Sequence, residues 1–136
     1  MPKRAIFSPL LAKPVNPHAQ ASVAGGFFSA ATVALDRDGK VVGIGDIRAQ
    51  TRQALLNLKH LLEAAGGCLD DVCRVMIYLT DMRHFAGMNE VYREFFSAAT
   101  MGDNLPSRAS ITGAMGMPEL MVEFDVIAYL GDKGQA

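Results

Sequence analysis

The fold class follows mainly from the segment Asp46 to Thr80, DIRAQTRQALLNLKHLLEAAGGCLDDVCRVMIYLT. Its first part repeats apolar residues every three or four positions and stops at Gly66-Gly67, with Asp46 placed to cap its start, so it predicts an amphipathic helix over about 47–65. Its last part, 72–80, is largely apolar at both alternating sets of positions, which is typical of a strand covered on both faces. A long helix followed by such a strand indicates an α/β protein.

The other elements follow by extension in both directions. A Pro-rich segment over 1–26 predicts a short edge strand and then an ordered loop, and the turn signal Asp36–Gly39 predicts a hairpin. Asp81 is placed to cap a second helix. Strands are predicted near 5–7, 27–35, 40–44, 72–80, 107–113 and 120–130, and helices near 47–65 and 81–98. We therefore expect one domain over residues 1–136, in the order β-β-β-α-β-α-β-β, with a mixed sheet and two helices on one face.

Two helices of this length can cover only one face of a sheet of about six strands. The second helix carries an apolar stripe that we assign to core packing: Phe85, Met88, Tyr92, Phe95 and Phe96. The other apolar face then needs another copy of the chain, so a homo-oligomer is expected.

Charge and composition exclude several partners. Thirteen Lys and Arg stand against fourteen Asp and Glu, scattered to a net charge of -1, so no basic surface for a nucleic-acid backbone is expected. Prolines at 9, 14 and 17 interrupt any apolar segment near the start, so we predict neither an export signal nor a membrane span, and a cytoplasmic location. Cys68, Cys73 and the three histidines lack zinc or disulfide spacing, so we predict buried or inert thiols and no metal.

Arg108 interrupts the otherwise uncharged segment LPSRASITG at 105–113. Strand alternation places Arg108, Ser110 and Thr112 on one side, which is an unusually polar row for a core strand. The planar guanidinium can bind a substrate carboxylate through two hydrogen bonds, or it can form a structural ion pair with an acidic residue between 119 and 125. The pattern alone favours neither.

Glu123 is a second charge in an apolar run, LMVEFDVIA at 120–128. If 113–118 makes the turn between the last two strands, Arg108 and Glu123 lie roughly opposite each other on one sheet face. Such a pair could hold an anion and position a water molecule. It is equally consistent with a simple salt bridge.

Several segments together resemble one family. They are AQTRQAL at 49–55, NLK at 57–59, LEAAG at 62–66, YLTDM at 78–82, NEVY at 89–92, EFF at 94–96, PSRAS at 106–110 and VEFDVIA at 122–128. Over about 16–130 the chain is similar to the Rid family, also called YjgF or L-PSP, the reactive-intermediate deaminases.

This resemblance implies a chorismate-mutase-like fold, a homotrimer with clefts at the subunit interfaces, and hydrolysis of 2-aminoacrylate-type enamines and imines to 2-keto acids and ammonia without a cofactor. It also implies that Arg108 pairs with the substrate carboxylate, that Glu123 positions the water and that Asn89 lines the pocket. Ser110 stands in that pocket where many members carry Cys, so no thiol is needed there.

Two departures from the family pattern affect the expected site. His18, in Asn16-Pro17-His18, stands where active members usually carry Tyr, and Ala30 begins a segment that is Ser-Gly-Gln in them. His18 is expected to contact substrate as a donor or proton shuttle. The substrate is expected to be of the 2-aminoacrylate type or a related catabolic enamine that is larger or differently shaped. A metabolite-binding or regulatory trimer that has lost turnover is the alternative. Ribonuclease activity is disfavoured by the balanced charge.

Overall fold

The computed structural model describes residues 2–135. In chain order its strands are β1 (Arg4–Ile6), β2 (Ala21–Ala24), β3 (Phe27–Val33), β4 (Val72–Leu79), β5 (Ser107–Thr112) and β6 (Val122–Tyr129), and its helices are α1 (Ile47–Ala64), α2 (Phe85–Phe95) and the single turn α3 (Ala98–Met101). The strands form one sheet in the order β1-β2-β3-β6-β4-β5. β4 and β5 pair in parallel, and the other neighbours are antiparallel. The predicted mixed six-stranded sheet with two main helices is therefore confirmed.

Helix α1 begins and packs as its sequence predicts. The Asp46 side chain accepts a hydrogen bond from the Ala49 amide at 3.1 Å, which satisfies one of the donors left free in the first turn. The apolar face of α1 enters the core with Leu55, Leu58 and Leu62 fully buried.

Among the helices between residues 2 and 135, none combines the length and the apolar character that a membrane span needs.

The predicted hairpin of 27–35 with 40–44 is wrong. β3 pairs instead with β2, in the segment expected to be a loop, through the two-residue turn Gly25-Gly26. Both glycines have positive φ, 56° and 83°, as the favoured tight hairpin turn requires. Only an isolated bridge joins Leu35 to Val41, because Asp36 folds its own loop and its carboxylate accepts hydrogen bonds from the Asp38 and Lys40 amides.

The region around β4 and α2 also differs in detail. A bulge between Val72 and Arg74 turns Val72 into the core and leaves Cys73 exposed, the reverse of simple alternation. Cys68 is exposed as well, so both thiols are free, as expected, but neither is buried. Asp81 caps a 3-10 turn at Met82–His84, and α2 ends at Phe95 rather than near residue 98.

The two faces of the sheet have different environments. On the helix-covered face, Val75, Phe124 and Val126 are fully buried. The opposite face, here called the open face, exposes about half of Phe27, Ile127 and Tyr129. Such an apolar surface is what the sequence predicts for a sheet with helices on one side.

Candidate active site

Arg108 projects from the edge strand β5 towards helix α2. It is the register partner of the fully buried Val75, so its side chain leaves the sheet on the helix-covered face. Its guanidinium carbon lies 4.6 Å from the centre of the Tyr92 ring and 5.8 Å from that of Phe85. Both distances are within the range of cation–π attraction, so two aromatic rings of α2 hold the guanidinium.

Arg108 has no acidic partner in the part of the chain that the structure describes. Among residues 2–135, no salt bridge joins it to Glu119, Glu123 or Asp125. The structural ion pair considered from the sequence is therefore absent from the described chain. A partly buried cation whose hydrogen-bonding fork has no carboxylate to bind is suited to an external anion.

Two cavities flank the guanidinium. One of about 250 Å³ is lined by Asn89, Tyr92 and Pro106 together with Arg108. The other, of about 400 Å³, is lined by Phe85, Ser110 and the same arginine. The structure thus brings together Arg108, Asn89 and Ser110, three of the residues predicted to form the site.

Tyr92 contributes a buried polar atom to this arrangement. Burial raises the pKa of its phenol, and the positive charge of Arg108 opposes that rise. Its hydroxyl has no hydrogen-bond partner among the described residues. The Tyr92 ring holds the guanidinium, and the hydroxyl lies close enough to that group for Arg108 to counter part of the rise in pKa.

Glu123 lies elsewhere, on the open face of β6. Its register partners are Val33 on β3 and Tyr78 on β4. Burial raises the pKa of its carboxyl, and the neighbouring charge of Asp125 raises it further. A carboxyl perturbed in this direction can exchange a proton nearer to neutral pH than an ordinary glutamate.

The prediction that Arg108 and Glu123 lie roughly opposite each other on one sheet face is wrong. β4 lies between β5 and β6, so the two strands are not neighbours. Ile111, three residues beyond Arg108, shares a row with Tyr78 and Glu123. Two strand spacings and three residues along the strand place the two α-carbons about 14 Å apart, with side chains on opposite faces. Within a single chain, Arg108 and Glu123 therefore cannot contact the same small substrate.

The two departures from the family pattern lie before β2 and on β3, neither of which neighbours β5 in the sheet. His18 is exposed in the loop before β2, and its ring Nδ1 lies 3.0 Å from the Ala19 carbonyl oxygen. Ala30 is a core residue on the helix-covered face, whereas the neighbouring Ser29 presents its hydroxyl on the open face. The methyl group of Ala30 therefore packs in this chain's core rather than on the face that carries Glu123.

Sequence reasoning missed the aromatic support of Arg108. The stripe on α2 was assigned to the core, which holds for Met88, Tyr92 and Phe96, but Phe85 is 37% exposed. The missing information was strand order: once β5 lies at the sheet edge beside β4, its helix-facing arginine must meet the stripe on α2.

The fold and this site define a small α/β-sandwich protein whose polar site is built around an arginine on the edge strand. The sequence model of the family described as Endoribonuclease L-PSP matches residues 10–130. The chain belongs to this family, the Rid, YjgF or L-PSP family.

Individual relatives agree with this assignment. The RutC family protein PH0854 of Pyrococcus horikoshii is 43% identical over 93% of this chain and 98% of its own length. A second RutC family protein, PYRAB12510 of Pyrococcus abyssi, is 37% identical over 95% and 98%. The crystal structure of YyfA from Yersinia pestis, described as a Rid family protein of unknown function, superposes with a TM-score of 0.85 at 27% identity, covering 94% of this chain and 99% of that one.

Proposed function

We propose that the protein is a hydrolytic deaminase that converts a carboxylate-bearing imine, or its enamine tautomer, to the 2-keto acid and ammonia. The observation that carries this proposal is Arg108, a partly buried guanidinium between two cavities with no acidic partner in the described chain. A substrate carboxylate would complete its hydrogen bonding. Membership of the Rid family supports the same chemistry.

The proposed reaction needs few groups because an imine carbon is already electrophilic. Water adds to that carbon, and Glu123 accepts a proton from the water and returns one to the nitrogen. The carbinolamine then collapses: its hydroxyl proton passes through the Glu123 carboxyl to the nitrogen, the carbon–nitrogen bond breaks, and ammonia leaves as the carbonyl forms. A carboxyl with a raised pKa suits both halves of this proton transfer.

The positions of Arg108 and Glu123 require more than one chain in the proposed active site. Arg108 and Glu123 point to opposite sheet faces, so a cleft that contains both must draw on two chains. The exposed apolar side chains of the open face, such as Ile127 and Tyr129, supply a surface for that contact. We accordingly propose a homotrimer with the clefts between subunits.

Complementation tests this arrangement. Arg108→Ala and Glu123→Gln should each keep no more than about a tenth of wild-type activity alone, but a 1:1 mixture, dissociated and reassembled, should recover about a quarter of wild-type activity. That fraction follows because a random closed ring places an intact arginine beside an intact acid at one interface in about four. No recovery in reassembled mixed oligomers would mean that each cleft uses one chain.

The alternative is a metabolite-binding trimer without turnover. The observation in its favour is the exposed His18 in place of a tyrosine, since the arginine could hold an anion without productive protonation. The description of the matching family also raises ribonuclease activity, which the balanced charge of the chain disfavours.

One panel separates these functions. The purified protein is offered imines generated by an amino-acid oxidase and a dehydratase, and ammonia and 2-keto acid are followed with Arg108→Ala as the control. Turnover above that control supports the deaminase. Calorimetric binding of a 2-keto acid without turnover supports the metabolite binder, and cleavage of a labelled RNA by the wild type alone supports the ribonuclease.

A further inference from the structure

Helix α1 carries two amide side chains on its buried face, Gln50 and Asn57. Gln50 is fully buried, and Asn57 is 3% exposed. They lie seven residues apart, about two helical turns, so both face the sheet. A buried amide is costly unless its hydrogen-bonding groups are used. The groups that these two amides bind are therefore informative.

Gln50 binds the segment that leads into β6. Its amide nitrogen donates to the carbonyls of Glu119, at 2.8 Å, and Gly43, at 3.3 Å. Its amide oxygen accepts from the Met121 backbone at 2.8 Å. Met121 is two residues before Glu123, so one side chain holds the backbone from which that strand starts.

Asn57 binds the neighbouring strand. Its amide nitrogen donates to the carbonyls of Val33, at 3.0 Å, and Leu35, at 2.9 Å, and its oxygen accepts from Gln53 at 2.9 Å. Val33 is the register partner of Glu123 on β3. The backbone on one side of the carboxylate is thus fixed from the same helix.

Gln50 and Asn57 therefore hold, from the core side, the β6 backbone just before Glu123 and the β3 backbone beside it. The Glu123 side chain lies on the other face of the sheet. We propose that they are positioning residues that set the carboxylate of Glu123 for water activation. This inference rests on the deaminase function proposed above. A reacting group displaced by about 1 Å can lose about 100-fold in rate, so small shifts of this backbone matter.

The proposal separates the effects on turnover and binding. In Gln50→Asn the amide is kept but is one methylene too short to reach the start of β6, and in Asn57→Leu the strand β3 is released. Each should lower kcat about tenfold or more. KM should change less than about twofold, because the arginine grip lies on the other face beside α2. Leu58→Ala is the matched control from the same buried face: it should lower the melting temperature and leave kcat unchanged.

A second measurement does not depend on activity. In protein labelled with ¹³C at the glutamate carboxyl carbon, the Glu123 signal is assigned by its loss in Glu123→Gln and is titrated with pH. Burial keeps the pKa of Glu123 raised in the wild type, and Gln50→Asn should move it towards the ordinary value while Leu58→Ala should not. Wild-type protein without turnover would reject the deaminase, and the titration would still test the positioning. Wild-type kcat together with an unchanged titration in folded Gln50→Asn would overturn the inference.

Discussion

Replacing Arg108 with alanine separates a substrate-binding arginine from a structural one. The structure gives the guanidinium no carboxylate partner in the described chain, so its fork is available for substrate. Charge-assisted hydrogen bonds contribute about 1.5–3 kcal/mol. Losing them should lower kcat/KM by about 10-fold to 150-fold. Arg108→Lys should fail nearly as badly, because an ammonium cannot reproduce two parallel hydrogen bonds.

The same change should cost little stability. Removing one partner of a buried ion pair costs about 3–5 kcal/mol, since a buried charge is left uncompensated. Here no such partner remains, and the loss is the attraction of the Tyr92 and Phe85 rings, no more than about 2 kcal/mol. For a chain of this size that corresponds to a fall of at most about 8 °C in melting temperature.

Both quantities should be measured on one sample of Arg108→Ala, by thermal unfolding and by 2-keto acid release. The expected result is a strong loss of turnover with a small loss of stability. A fall of more than about 12 °C with near-normal turnover in the folded fraction would refute the reasoning and identify a structural arginine.

Four further changes test other parts of the site. Tyr92→Phe should leave KM unchanged, whereas Tyr92→Leu should raise it about fivefold, because the ring holds the guanidinium. Steady-state kinetics of the two variants measure this difference. Glu123→Gln should raise the melting temperature at pH 7 but not below about pH 4, because a raised pKa makes ionisation of the native carboxyl unfavourable as the pH rises. Ile127→Lys should yield monomers by light scattering, whereas Ile44→Lys, on an exposed loop, should leave the oligomer intact. His18→Tyr should shift relative rates among imines of different size, and an unchanged rate profile would place His18 outside the pocket.

The elements that the sequence predicted well are those with a local cause. α1 was located to within a residue because a cap, a periodic apolar face and a pair of glycines all agree. The hairpin was misplaced because the prediction followed the turn signal Asp36–Gly39, whereas the two-residue turn Gly25-Gly26, at the end of the segment expected to be a loop, joins the paired strands. The sequence does not say which strands pair across a turn, and the strand 40–44 does not form.

The sequence pointed to individual site residues but not to their relative positions. Arg108 and Glu123 each stood out as a charge in an apolar segment, and alternation placed Arg108, Ser110 and Thr112 correctly on one side. Their relation to Glu123 depends on β4 lying between β5 and β6. Strand order of this kind is a non-local property, because the connection from β5 to β6 passes over a neighbouring strand without leaving a local signal.

The separation of the two charges links assembly to chemistry in the proposed trimer. In one chain Glu123 is already partly desolvated, beside Asp125, on a face rich in exposed apolar side chains. Covering that face with a second copy would remove more water from the carboxyl and raise its pKa further. The same contact would bring the Arg108 of one subunit towards the Glu123 of another. Burial of the open face would then stabilise the oligomer, complete the cleft and adjust the acid towards the working pH, so an isolated subunit would retain the anion grip but lack the chemistry.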